Sequence, residues 1–135
     1  IWWIIVLVVI VGGVWWLAGR EEASPADDGV VKIGALLPLT GDAAAWGENA
    51  HQAVQLATEE MNRQGGIDGR QIEIIYEDTA ADPKKAVTSF QKLVSVDNVL
   101  AIIGPLSQTE SVSVDPLIEM TGIPTVAPSF IYRIV

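Results

Sequence analysis

Six consecutive residues, Gly104-Pro105-Leu106-Ser107-Gln108-Thr109, lead from an apolar run into a helical pattern. A helix N-terminus presents unpaired backbone N–H groups and a partial positive charge, so such a loop suits a carboxylate. Ser107, Gln108 and Thr109 can add side-chain hydrogen bonds to it. The competing reading is local, with Ser107 or Thr109 capping its own helix. Trp46 follows the Thr40-Gly41-Asp42 loop, at the far end of another apolar run. An indole there packs either on the apolar part of a ligand or over a helix–sheet junction. Glu77 and Asp78 have the chemistry of a metal or acid–base pair, and equally that of a loop-capping pair. His51 lies on a helix between Ala50 and Gln52 and reads as solvated. No Ser-His-Asp set can be completed from these loops. Thr40-Gly41-Asp42 is not a phosphate loop, so no cofactor and no metal is expected.

Composition narrows the classes. The 135 residues include 17 Asp and Glu, 8 Lys and Arg, one His and no Cys. There is no disulfide framework, thiolate zinc site or cysteine nucleophile. A net charge of -9 excludes a nucleic-acid partner, because phosphate binding needs a basic face. The chain does not begin with Met, which suggests a processed or truncated piece.

Residues 1–18 carry no charged or polar side chain apart from the indoles of Trp2, Trp3, Trp15 and Trp16 at the two ends. As a helix they span roughly 27 Å, close to the thickness of a bilayer's hydrocarbon core. Indoles favour the interface. The expectation is a transmembrane signal anchor, with a cleaved signal peptide as the alternative. Trp16 would sit at the -3 position of a cut after Ala18, which disfavours cleavage there. Arg20 stands where a lipobox needs Cys. Residues 19–29 read as a linker, and the acidic Glu21, Glu22, Asp27 and Asp28 suit an exported side.

The remainder alternates strands and helices. Val30–Leu37 reads as a buried strand ended by Pro38. Residues 44–64 read as a helix whose apolar stripe is Ala50, Ala53, Val54, Ala57 and Met61, closed by Gly65-Gly66. Gln71–Tyr76 is a second strand. Asp82-Pro83 is an N-cap followed by Pro at the first helical position, opening a helix with Ala86, Val87, Phe90, Leu93 and Val94 inward. Val99–Ile103 is a third strand. Ser107–Thr121 is a helix that Asp115-Pro116 is expected to interrupt. Ile123–Ala127 is a fourth strand, and Phe130–Val135 suits a fifth. Continuous apolar strands between amphipathic helices predict an α/β fold, a parallel sheet with helices on both faces. Ligands in such sheets bind beyond the carboxyl ends of the strands.

The chain also resembles a known family. Lys32-Ile33-Gly34-Ala35-Leu36-Leu37-Pro38-Leu39-Thr40-Gly41 with Trp46-Gly47, Asn62 to Arg70, Glu77 to Pro83, Ile103 to Ser107 and Gly122-Ile123-Pro124 occur in the order and spacing of the Leu/Ile/Val-binding proteins. These are substrate-binding components of branched-chain amino-acid ABC transporters, with the type I periplasmic-binding fold. The resemblance implies that residues 30–135 are part of an N-terminal lobe, which closes with a second lobe on a small ligand. It places ligand contacts at Trp46, at Leu106, Ser107, Gln108 and Thr109, and at the loop beginning with Ser129. It implies an extracytoplasmic solute-binding protein, tethered by residues 1–18, facing the periplasm or extracellular side and partnered by a transporter permease. The ligand would be an amino acid, aliphatic first, or a related small carboxylate or amide. The alternative is a ligand-sensing ectodomain of a membrane receptor. A third reading is an enzyme using Glu77 and Asp78. Three departures stand out. Gln108 occupies a position where the family usually has a ligand-binding Ser, the residues after Pro128 lack the family's small-residue loop, and the second lobe, which in the family usually supplies the acidic partner for the ligand's ammonium, is not within these 135 residues. Half a cleft should bind weakly.

Overall fold

The computed structural model describes residues 29–128. Strand β1, Val30–Leu37, is followed by helix α1, Ala44–Arg63, and strand β2, Gln71–Asp78. Helix α2, Pro83–Ser95, leads to β3, Ala101–Ile103; helix α3, Gln108–Thr121, leads to β4, Thr125–Val126. All neighbouring strands are parallel, and their order is β2-β1-β3-β4. The predicted parallel α/β architecture is therefore present. The third strand keeps the last three residues of the apolar run that announced it, and the fourth keeps Thr125 and Val126 alone.

Strand alternation divides the core in two. Leu36 and Ile102 turn to one sheet face and pack with Ala86, Phe90 and Leu93 of α2 and Val114 of α3. Ala35 and Leu37 turn to the other face and pack with Leu106 and Ala50 of α1. Burying one side chain of the size of Leu36 or Phe90 stabilises the fold by about 2 kcal/mol. Gly34 lies on the α2 face with no room to spare. A Cβ there would sit 2.7 Å from Leu93 Cδ1.

Three sequence expectations change. Helix α1 presents Gly47, Ala50, His51, Val54, Thr58 and Asn62 to the sheet, whereas Ala53, Ala57 and Met61 of the expected stripe are exposed. A polar anchor sets that rotation: the Asn62 side-chain amide donates to Ile72 O at 2.9 Å and accepts from Ile72 N–H at 2.7 Å. Helix α3 runs unbroken through Pro116. The carbonyl that loses its donor there belongs to Val112, which is exposed to water. His51 is half buried, its ring edge-on to Tyr76 with centroids 4.4 Å apart. The expected membrane segment, the linker and the fifth strand lie outside the described residues. Among those residues, no helix is long and apolar enough to cross a membrane.

Candidate ligand-binding edge of the sheet

The chain runs from β1 to β2 on one side and then from β2 to β3 on the other side of β1. The loops leaving β1 and β3 therefore diverge, and the gap between them is the switch point where open α/β sheets hold ligands. The two strands are in register, with Ala35 opposite Ile103. Their next residues touch closely. A Cβ on Gly104 would lie 2.2 Å from Leu36 O, and Gly104 has φ +97°, so glycine is required twice over. The Gly104-Pro105 peptide is cis.

Trp46 stands in the first turn of α1 with 52% of its surface exposed. Gly47 lets that turn approach β1, since a Cβ there would fall 2.1 Å from Pro38 O. Leu106 is buried, and its side chain joins Ala35, Leu37 and Ala50. Ala50 is one helical turn beyond Trp46. Leu106 thus ties the loop after β3 to the helix that carries the indole, while its own side chain faces the core.

At the start of α3 both sequence readings have a share. Ser107 is the N-cap, and its side chain accepts from Glu110 N–H at 3.3 Å. The Ser107 N–H donates to Glu110 Oε2 at 3.3 Å, and the Ser107 hydroxyl donates to the same oxygen. This is a capping box. Gln108 and Thr109 are exposed, and their backbone N–H groups have no partner among the described residues. These two donors, with the Thr109 hydroxyl and the Gln108 amide, are what α3 offers a ligand. Ser129 lies outside the described residues. Glu110 was not singled out from the sequence, although Ser-x-x-Glu spacing at 107–110 announces a capping box.

Glu77 and Asp78 do not form a pair, because successive strand residues point to opposite faces. Glu77 accepts from Lys92 Nζ at 2.5 Å and from Ser89 Oγ at 3.3 Å on α2. Asp78 turns to the loop after β1. Its Oδ1 accepts from the N–H groups of Leu39, Thr40 and Ala80 at 2.8, 3.1 and 2.9 Å. Burial pushes the Asp78 carboxyl up, but the Thr40 hydroxyl and these three N–H groups together outweigh it and hold it below the usual carboxylate range. Asp78 therefore shapes the first loop of the site. Among the described residues, no group of three metal-ligating side chains exists.

Residues 30–133 match the family described as periplasmic binding protein. The Leu/Ile/Val-binding protein homolog 7 of Brucella suis biovar 1 is 35% identical over 108 residues, covering 80% of this chain and 26% of that protein. Homolog 2 of Brucella abortus strain 2308 is 36% identical over 98 residues, 73% of this chain and 26% of that protein. The substrate-binding protein LivJ of Streptococcus pneumoniae, solved with isoleucine, superposes with a TM-score of 0.71 at 32% identity, over 74% of this chain and 29% of its own. An ABC-transporter solute-binding protein of Rhodopseudomonas palustris, solved with 3,4-dihydroxybenzoic acid, gives 0.69 at 26% identity, over 75% of this chain and 27% of its own. The chain thus spans about a quarter of the length of the curated relatives it matches. With a match over most of its own length and the lobe architecture of solved members, the chain belongs to the periplasmic binding protein family.

Proposed function

We propose that this chain contributes one wall of an interlobe cleft in an extracytoplasmic solute-binding component of an ABC transporter. The ligand is an amino acid, aliphatic first, or a related small carboxylate or amide. One observation carries the reading: the switch point brings the exposed Trp46 turn and the unpaired N–H groups of Gln108 and Thr109 to the same edge of the sheet. An indole supplies apolar area, and the helix terminus supplies directed donors, which is the pairing a small polar–apolar solute needs. Leu106 acts from the core by holding the two walls together, and Ser107 acts by capping. Residues 30–135 form part of the first lobe, residues 19–29 link it to the membrane, and residues 1–18 anchor it. Closure of the two lobes delivers the solute to a permease.

The experiment is a thermal-shift and calorimetric screen of the full-length protein against leucine, isoleucine, valine, their amides and small aromatic acids. A ligand that binds only the native state raises Tm in proportion to its occupancy. A saturable shift with an aliphatic amino acid or amide supports the reading. A folded protein that none of these shifts is not a binding protein for this class of solute.

A further inference from the structure

The chain passes from α1 to β2 through a two-residue turn, at the end of the sheet away from the strand carboxyl ends. Ile67 N–H donates to Arg70 O and Arg70 N–H donates to Ile67 O, both at 2.9 Å. Between them stand Asp68 at φ +51° and Gly69 at φ +81°. Two positive φ values inside a paired loop mark a type I′ turn, which Asp-Gly suits.

Among the described residues, Asp68 is the one aspartate that precedes a glycine. That order carries a chemistry of its own, because the Gly69 nitrogen can close a five-membered ring on Asp68 Cγ and no Cβ on Gly69 obstructs the approach. Both residues are exposed. Gly69 N–H donates to no backbone acceptor, and the Asp68 carboxyl has no ion pair, among the described residues. A Cβ on Gly69 would meet nothing within 4 Å, so no side chain packs over the turn. Ring closure needs the Asp68–Gly69 peptide to rotate. The two Ile67–Arg70 hydrogen bonds oppose that rotation, and backbone bonds at a surface turn open in local fluctuations. The other described aspartates are placed differently. Asp82 and Asp115 precede Pro83 and Pro116, whose nitrogens carry no hydrogen. Asp78 is held by Leu39, Thr40 and Ala80, and Asp97 accepts from Lys92. Asp42 precedes Ala43, whose methyl group stands beside the nitrogen that would attack.

We propose that Asp68 is a modification site, at which the folded protein isomerises spontaneously to isoaspartate, and that the product loosens the junction of α1 with β2. The Gly69 nitrogen bonds to Asp68 Cγ, and the carboxyl hydroxyl leaves as water with the amide proton, giving a succinimide. Water then adds to the former main-chain carbonyl carbon of Asp68, and the bond from that carbon to the Gly69 nitrogen breaks. No oxidant or reductant takes part, and the water lost in the first step is regained in the second. The main chain now runs through Cβ and Cγ and is one atom longer. A two-residue type I′ turn cannot take up that atom and keep Ile67 paired with Arg70. Arg70 cannot shift freely either, since its carbonyl oxygen lies where a Cβ on Gly66 would come within 1.8 Å.

The test ages the full-length protein at neutral pH, native and in urea. Isoaspartate is located by peptide mapping and by enzymatic methylation of its free α-carboxylate. Native protein should accumulate it at Asp68 above the level at Asp42. Gly69→Ala, with open space for its methyl, should bring position 68 down to the Asp42 level. Should that variant fail to fold, Asp68→Asn reports on the same nitrogen, because ring closure then releases ammonia and changes the mass. The isoaspartate form, once separated, should melt below the unaged protein. Accumulation in urea but not in the native protein would mean that the turn protects Asp68, and overturns the inference. So does a native yield at Asp68 no greater than at Asp42. An unchanged Tm of the separated form overturns the effect on the junction.

Discussion

Asp78, at the end of β2, holds Thr40, in the loop after β1: its Oδ2 accepts from Thr40 Oγ1 at 2.5 Å and its Oδ1 from Thr40 N–H at 3.1 Å. The residues are 38 apart in sequence, yet the register puts the last residue of β1, Leu37, opposite Asp78. One carboxylate thereby sets the path of the loop that leads to Trp46.

Removing that carboxylate should loosen the loop and change the acid limb of stability. Asp78→Ala leaves three backbone donors without their acceptor, a loss of about 2 kcal/mol. The folded-state carboxyl titrates below its unfolded value, so its contribution is complete above the unfolded value of about 3.9 and is lost as the pH falls through the folded value. Denaturant melts between pH 7 and pH 2 check this. Asp78→Asn should flatten the part of the acid slope that lies below about pH 5. An unchanged slope would remove Asp78 from the acid-sensitive set.

Gly34 and Leu93 should be energetically coupled. Gly34→Ala drives a methyl to 2.7 Å from Leu93 Cδ1 and should cost about 1–3 kcal/mol as overpacking. Leu93→Ala should cost about 2–5 kcal/mol as a cavity. Together the two should cost at least about 1 kcal/mol less than their sum, since the truncated leucine makes way for the methyl. Strict additivity in urea titrations would mean that the backbone, not Leu93, yields.

Two glycines of positive φ should separate strain from contact. Gly69 has φ +81° and open space around its missing Cβ, so Gly69→Ala pays conformational strain alone, about 1 kcal/mol. Gly104 has φ +97° and Leu36 O in the way, so Gly104→Ala should cost roughly 3 kcal/mol or more. Comparable Tm losses for the two would show that the close approach at β1 relaxes freely.

Trp46 should matter to binding and not to folding. With half its surface in water, Trp46→Ala should change stability by less than about 1 kcal/mol. Affinity for the best solute in the screen should fall about tenfold or more, as loss of an aromatic wall predicts. Calorimetry and a melt on the same sample read the two effects. A large Tm loss would make the indole a structural cover.

Much of this was legible in the chain. Apolar runs at 30–37 and 71–76, the Asp82-Pro83 start and the Gly65-Gly66 stop mark elements whose causes are local, namely side-chain period, fixed proline φ and glycine's freedom. The family could be read from short motifs in order, and the Gly104–Thr109 loop could be placed at a helix start. What was misread has a common cause. Ala53, Ala57 and Met61 fit a helical stripe as well as Gly47, His51 and Asn62 do, and contacts with the sheet and the loop after β1 choose between the two faces: the Asn62–Ile72 hydrogen bonds, the close approach of Gly47 to Pro38 and the His51–Tyr76 ring contact. Pro116 breaks a helix in general but not here, where the orphaned carbonyl belongs to an exposed residue, Val112.

Sequence by itself determined the alternation of strands and helices, the parallel sheet and the loop where a ligand terminus should lie, because local periodicity and chain order decide these. Tertiary structure alone decided that β3 pairs with β1 and opens the switch point, and that Leu106 binds the loop after β3 to the face of α1. Those outcomes depend on which partners distant segments find in space, and no spacing along the chain encodes a partner's position.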